Sequence, residues 1–161
     1  MSSSYTKTRI MVECALMIAL GTILANIKIY ELPNGGSITL FSMVPFILVS
    51  FRHGVKWGLF TGFVNSLLQM LLGFYAPPAP GLLPLVGMIL LDYVLAFGVM
   101  GIAGLGRGKP HGIFWGSVLG GAARFVVHYI SGITIYKILA PTEIFGTVFD
   151  NPALYSLIYN G

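Results

Sequence analysis

Charge is what this sequence has least of: five Asp and Glu and nine Lys and Arg in 161 residues, 9% in all, against roughly 25% in an ordinary soluble domain. So little charge cannot coat a water-facing surface, which excludes a soluble globular domain. The basic residues exceed the acidic ones by four, but they stand in ones and twos between apolar segments, not in a stripe, so no nucleic-acid partner is expected. A single cysteine, Cys14, excludes an intrachain disulfide and fits an apolar packing role.

Catalytic chemistry is also scarce. No His, Glu or Cys cluster has metal-ligand spacing, and no Ser, His and Asp set is arranged to activate a nucleophile. The segment nearest to a phosphate loop, AGLGRGKP at 103–110, lacks the first glycine of that pattern and has Pro110 where a Ser or Thr should hold magnesium. Neither an enzyme nor a cofactor is expected, and uphill movement of a solute would take its energy from a partner or an ion gradient.

Apolar length is abundant: 56% of residues are hydrophobic and the mean hydropathy is +0.86. Apolar runs fall near 10–27, 38–51, 55–73, 82–105 and 112–139, and a sixth begins near 152. They predict one all-α integral membrane domain over residues 1–161, with lipid as its surroundings. The first run follows Lys7 and Arg9 like a signal peptide, yet shows no convincing cleavage site and reads as a retained helix. Lys7 and Arg9, Arg52 and Lys56, and Arg107 and Lys109 fall at the N-terminus and in alternate loops. The positive-inside rule therefore predicts a multi-pass protein of the cell membrane with its N-terminus in the cytoplasm. The opposite loops, ELPNGGS at 31–37, YAPPAPG at 75–81 and the stretch 140–151, are rich in turn residues and long enough to fold over something.

Small residues recur every fourth position: Gly54, Gly58, Gly62 and Ser66 in the third run, Gly116 and Gly120 in the fifth, Ala15 and Ala19 in the first. That spacing lets helices approach closely. Contact within the chain is expected for the third and fifth runs, and a partner-facing role suits the first better.

Four ionisable residues sit inside apolar runs, where each costs roughly 3 kcal/mol on insertion scales unless paired or wetted. Glu13 lies one turn into the first run, where snorkelling or a helix-end role suffices. Arg124 and His128, four apart, share one face of the fifth span, and Gly132 and Tyr136 continue that column. Together with Asp92, Tyr93, Tyr155 and Asn160 they bring a carboxylate, an imidazole, a carboxamide and phenols toward the outer half of the bundle. Such a set suits a flat, polar or cationic heteroaromatic ligand. It is equally compatible with an Asp92–Arg124 ion pair that locks two helices, as in a structural or assembly subunit of some other membrane complex.

The order and spacing of ALMIA in the first span, GGSITLFSMVPFILVSFRHGVKWGLFTGF through the second and third, LLDYVLAFGVMGIAGL in the fourth, RFVVHYISGITIY in the fifth and YSLIYNG at the end resemble a known family. Across nearly its whole length the chain looks like a thiamine-specific S component of energy-coupling factor (ECF) transporters. The resemblance implies a six-helix bundle that captures thiamine or a related vitamin from outside. It also implies docking through Ala15 and Ala19 to a transmembrane T component driven by two cytoplasmic ATPase subunits. By the same resemblance Asp92, Tyr93, His128, Tyr136, Tyr155 and Asn160 form the substrate site, with Arg124 at a basic position beside it. Asp92 is one methylene shorter than the glutamate the family pattern leads one to expect, and Tyr136 offers less stacking surface than tryptophan. With Gly161 as its last residue, the chain is expected to carry only the first turns of the sixth helix and to bind weakly or not at all.

Overall fold

The computed structural model describes residues 3–32, 37–39, 41–139, 142–144 and 146–160. Six helices dominate: α1 Ser3–Asn26, α2 Val44–His53, α3 Val55–Gly73, α4 Leu82–Gly106, α5 Gly112–Thr134 and α6 Pro152–Asn160. Helices are the natural answer to such a sequence, because in hydrocarbon every backbone N–H and C=O must find its partner within the segment. α1 (from Thr6), α4 and α5 are each long and apolar enough to cross a membrane. Two antiparallel hairpins accompany them: β1 Lys28–Glu31 with β2 Ser37–Thr39, and β3 Thr142–Ile144 with β4 Thr147–Phe149.

The first hairpin changes the reading of the second apolar run. Ile38 pairs with Tyr30 in the hairpin, and helix begins only at Val44, with Pro45 in its first turn. Ten residues of helix rise about 15 Å, half the hydrocarbon thickness. α2 ends at Gly54, whose φ of +91° places it in the left-handed region; its N–H bonds the Ser50 carbonyl at 2.8 Å and α3 starts at the next residue. The loop motif at 31–37 and the stretch 140–151 lie partly outside the described residues.

α4 is the hub. Its last segment, Val99–Gly106, narrows to 3-10 geometry, in which residues three apart share one face. Gly101 and Gly104 share such a face: a methyl on Gly101 would strike the backbone of Leu59 on α3, and one on Gly104 the Ser50 carbonyl on α2. The reciprocal faces are the small-residue columns of the sequence. Gly58 abuts Ser50 and Gly101, Gly62 the Phe97 carbonyl, and Gly116 the Ala103 carbonyl. α6 lies on α5, where Gly132 leaves room for Ser156 and the Ser156 hydroxyl donates to the Tyr129 carbonyl at 3.2 Å.

The basic loops gather at one end of this bundle. Arg107 lies beside Gly54, and Glu13 of α1 is within 2.8 Å of Arg52 Nε and 3.0 Å of His53 Nε2. Glu13 is thus held in an interhelix cluster, a structural role, although its contacts lack the alignment of full hydrogen bonds. The hairpins and the α3–α4 loop occupy the opposite end.

Candidate functional site

At the hairpin end the helices enclose a cavity of about 620 Å³, within the range of small-molecule sites. Asp92, Tyr93, His128, Tyr136, Tyr155 and Asn160 all line it. They come from four places in the chain.

Asp92 and Tyr93 lie in a π-helical turn, Ile89–Leu95, in the middle of α4. A turn closed by i→i+5 bonds takes in an extra residue, so neighbouring side chains diverge by less than the roughly 100° of an α-helix. Two consecutive residues can therefore face one cavity. Asp92 Oδ1 meets His128 Nδ1 at 3.0 Å, and Oδ2 accepts from Ser131 Oγ at 2.7 Å. A carboxylate only accepts, so Nδ1 carries the proton. The side chains are 14% exposed for Asp92 and 22% for His128, and Ser131 is buried. The carboxylate is thus fixed in the cavity wall by two donors from one face of α5.

Arg124, also a lining residue, is not Asp92's partner. Its Nη1 reaches the Ala96 carbonyl at 3.5 Å and its guanidinium lies 4.5 Å from the centre of the Phe97 ring. Among the described residues the carboxylate is paired with His128 and Ser131, so the Asp92–Arg124 lock does not form.

The aromatic and amide groups divide their duties. The Tyr93 hydroxyl accepts from the Tyr75 N–H at 3.0 Å and donates to the Gly73 carbonyl at 3.4 Å, while its ring stacks on Phe74. Its polar end therefore anchors the α3–α4 loop. Tyr136 does not continue α5 as the column predicted: the helix ends at Thr134, and Tyr136 opens a 3-10 turn ending at Leu139. Tyr155 is buried and stacks on Tyr159 with ring centres 5.3 Å apart. Asn160 donates back to Ser156, to the carbonyl at 3.0 Å and the hydroxyl at 3.2 Å.

The sequence matches the family described as Thiamine transporter protein (Thia_YuaJ) over residues 11–161. The chain belongs to this thiamine transporter family. Among relatives, Thiamine transporter ThiT of Bacillus subtilis (strain 168) is 33% identical over 169 aligned positions, covering 93% of this chain and 79% of that protein. Thiamine transporter ThiT of Lacticaseibacillus paracasei (strain ATCC 334) is 31% identical, covering 75% and 62% respectively. A solved structure of ThiT from Listeria monocytogenes superposes with a TM-score of 0.72 at 23% identity, over 96% of this chain and 84% of that one. At that identity the likeness shows the shared fold.

In this member of the thiamine transporter family, several cavity residues escaped the sequence reading. Ser131 stands three positions after His128, the spacing that places both on one helix face, and that signal was available. Asn65 and Gln69, one turn apart on α3, bring two carboxamides to the wall; amides inside an otherwise apolar run were the clue. Ala15 and Ala19 lie elsewhere, on the exposed face of α1 next to Leu16, which is 65% exposed.

Proposed function

We propose that this chain is the substrate-binding S component of an ECF-type transporter, taking up thiamine at the hairpin end, which faces outward. The observation that carries this reading is the Asp92 carboxylate held in a cavity wall among aromatic rings. Thiamine is a flat cation, and its thiazolium is attracted both by a fixed carboxylate and by aromatic faces. The rings of Tyr93, Tyr136 and Tyr155 supply such faces at the cavity lining. Family membership supports the choice of thiamine over other heteroaromatic cations.

Three roles follow for the site. Asp92 neutralises the ligand's charge; His128 and Ser131 orient it; Tyr155 and Asn160, carried on α6, close the ligand from the side. The exposed Ala15 and Ala19 support docking of a partner helix, since small residues four apart admit close backbone approach. That partner is a transmembrane T component driven by two cytoplasmic ATPases, and the chain itself performs no chemical step. The basic ends at Arg52, Lys56, Arg107 and Lys109 favour a cytoplasmic N-terminus.

Titration of the purified protein in detergent tests the proposal. Thiamine should bind saturably, and Asp92→Asn and His128→Ala should each weaken it at least about tenfold, the cost of a lost charged hydrogen bond. Absence of saturable binding up to millimolar thiamine, or wild-type affinity in both variants, refutes it. A purely structural role for the polar cluster instead predicts that these variants lower the melting temperature while thiamine protects nothing.

A further inference from the structure

The residue the site leaves unexplained is Asn65. It is fully buried on α3, it lines the cavity, and neither its Oδ1 nor its Nδ2 has a hydrogen-bond partner among the described residues. Burying a carboxamide with both ends unpaired is costly, and buried polar groups are almost always satisfied. Other polar side chains of these helices solve the problem locally. Thr61 and Ser66 donate to the carbonyls of Trp57 and Phe63 at 2.7 Å each. The two other helical asparagines bond back to the residue four before them, Asn26 to the Thr22 carbonyl at 2.8 Å and Asn160 to that of Ser156 at 3.0 Å. Asn65 had the same option one turn back at Thr61 and does not use it.

A carboxamide held unpaired against a cavity is a recognition group awaiting a complementary edge. Turned toward the cavity, its amide would offer one donor and one acceptor side by side. The edge that satisfies both together is a ring nitrogen flanked by an exocyclic amine, the pattern through which Asn and Gln recognise adenine. An aminopyrimidine has that edge, and thiamine carries one. The Asp92 carboxylate, by contrast, suits the cationic ring. We propose that Asn65 is a specificity residue that reads the amine and ring-nitrogen edge of an aminopyrimidine, so that α3 and α4 hold the two halves of the ligand. This rests on the thiamine-binding reading above.

The test is a binding cycle on the whole chain: wild type and Asn65→Leu, each titrated with thiamine and with an analogue whose pyrimidine amine is replaced by hydrogen. Asn65→Leu should cost thiamine at least about tenfold in affinity, as loss of a paired amide contact does. It should cost the analogue less than about threefold, because the amine contact is already gone. The unliganded melting temperature should stay level or rise, since an unsatisfied buried amide has been replaced by an apolar group. If the leucine variant does not fold, Asn65→Ala takes its place with the same readouts. Equal losses for the two ligands, unchanged thiamine affinity, or a fall in unliganded stability with normal thiamine binding would each overturn the assignment. Asp92→Asn run in parallel separates the failures: its loss of affinity without one for Asn65→Leu sinks this inference alone, and no thiamine binding by the wild type sinks both.

Discussion

Asp92→Asn is the substitution whose consequence is best defined by the geometry. The change preserves shape and removes one negative charge from a side chain 14% exposed. Two unit charges about 4 Å apart attract by about 4 kcal/mol at an effective dielectric near 20. Part of that is offset because the ligand cation also leaves water, and the new carboxamide still offers a hydrogen bond. A net loss of about 1.5 to 3 kcal/mol remains, the usual worth of a hydrogen bond to a charged group. It corresponds to roughly 10- to 150-fold in dissociation constant.

The unliganded protein should tolerate the change. Ser131, 2.7 Å from one carboxylate oxygen, carries a hydroxyl that serves as donor or acceptor, and His128, 3.0 Å from the other, can exchange tautomer. The melting temperature in detergent should therefore move by only a few degrees. Calorimetric titration with thiamine and with an analogue bearing a neutral ring in place of the thiazolium isolates the charge. The variant should lose affinity for the cation and keep its affinity for the neutral analogue. Equal losses for both ligands would show that Asp92 acts through shape or packing and would refute the electrostatic role given to it.

Other outcomes follow from the same structure. Gly62→Ala forces a methyl into the Phe97 carbonyl and should destabilise by about 1 to 3 kcal/mol, the usual overpacking range, seen as a lower melting temperature without thiamine. Tyr93→Phe removes both hydroxyl bonds to the α3–α4 loop while keeping the stacked ring; proteolysis of residues 74–81 should accelerate, with thiamine affinity changed less than about tenfold. Replacing Ala15 and Ala19 by leucine adds bulk to an exposed face; thiamine binding by the isolated chain should persist while uptake by cells supplying the T component and ATPases fails. Glu13→Gln dissolves the cluster with Arg52 and His53, but Arg52 is 57% exposed, so the stability change should stay below about 1 kcal/mol.

Long elements were legible in the sequence because lipid imposes a simple demand, about 20 apolar residues per crossing. The apolar run at 55–73 coincides with α3, Val55–Gly73, and the run at 82–105 with α4, Leu82–Gly106. The run at 38–51 misled because hydropathy has no term for register. Ile38 is apolar but pairs across a hairpin with Tyr30. The fifth run, read to 139, overshoots α5 for a related reason: Tyr136 to Leu139 are apolar enough to extend it but adopt 3-10 geometry.

The site shows why residue type outlasts position in such a reading. Asp92, His128 and the tyrosines stood out because ionisable and polar groups inside apolar spans demand an explanation. Periodicity could not choose the carboxylate's partner. In a regular α-helix consecutive residues such as Asp92 and Tyr93 diverge by about 100°, which makes it hard for both to serve one cavity; the π turn at Ile89–Leu95 relieves that conflict. The widened turn presents Asp92 to His128 and Ser131 on α5, while one turn further along α4 Phe97 lies under the Arg124 guanidinium. Arg124 is occupied there by an aromatic face and a carbonyl, so among the described residues the carboxylate's direct partners are His128 and Ser131 and no Lys or Arg. A carboxylate oriented by two donors and not ion-paired to a Lys or Arg among the described residues is what the proposed capture of a cationic ligand requires.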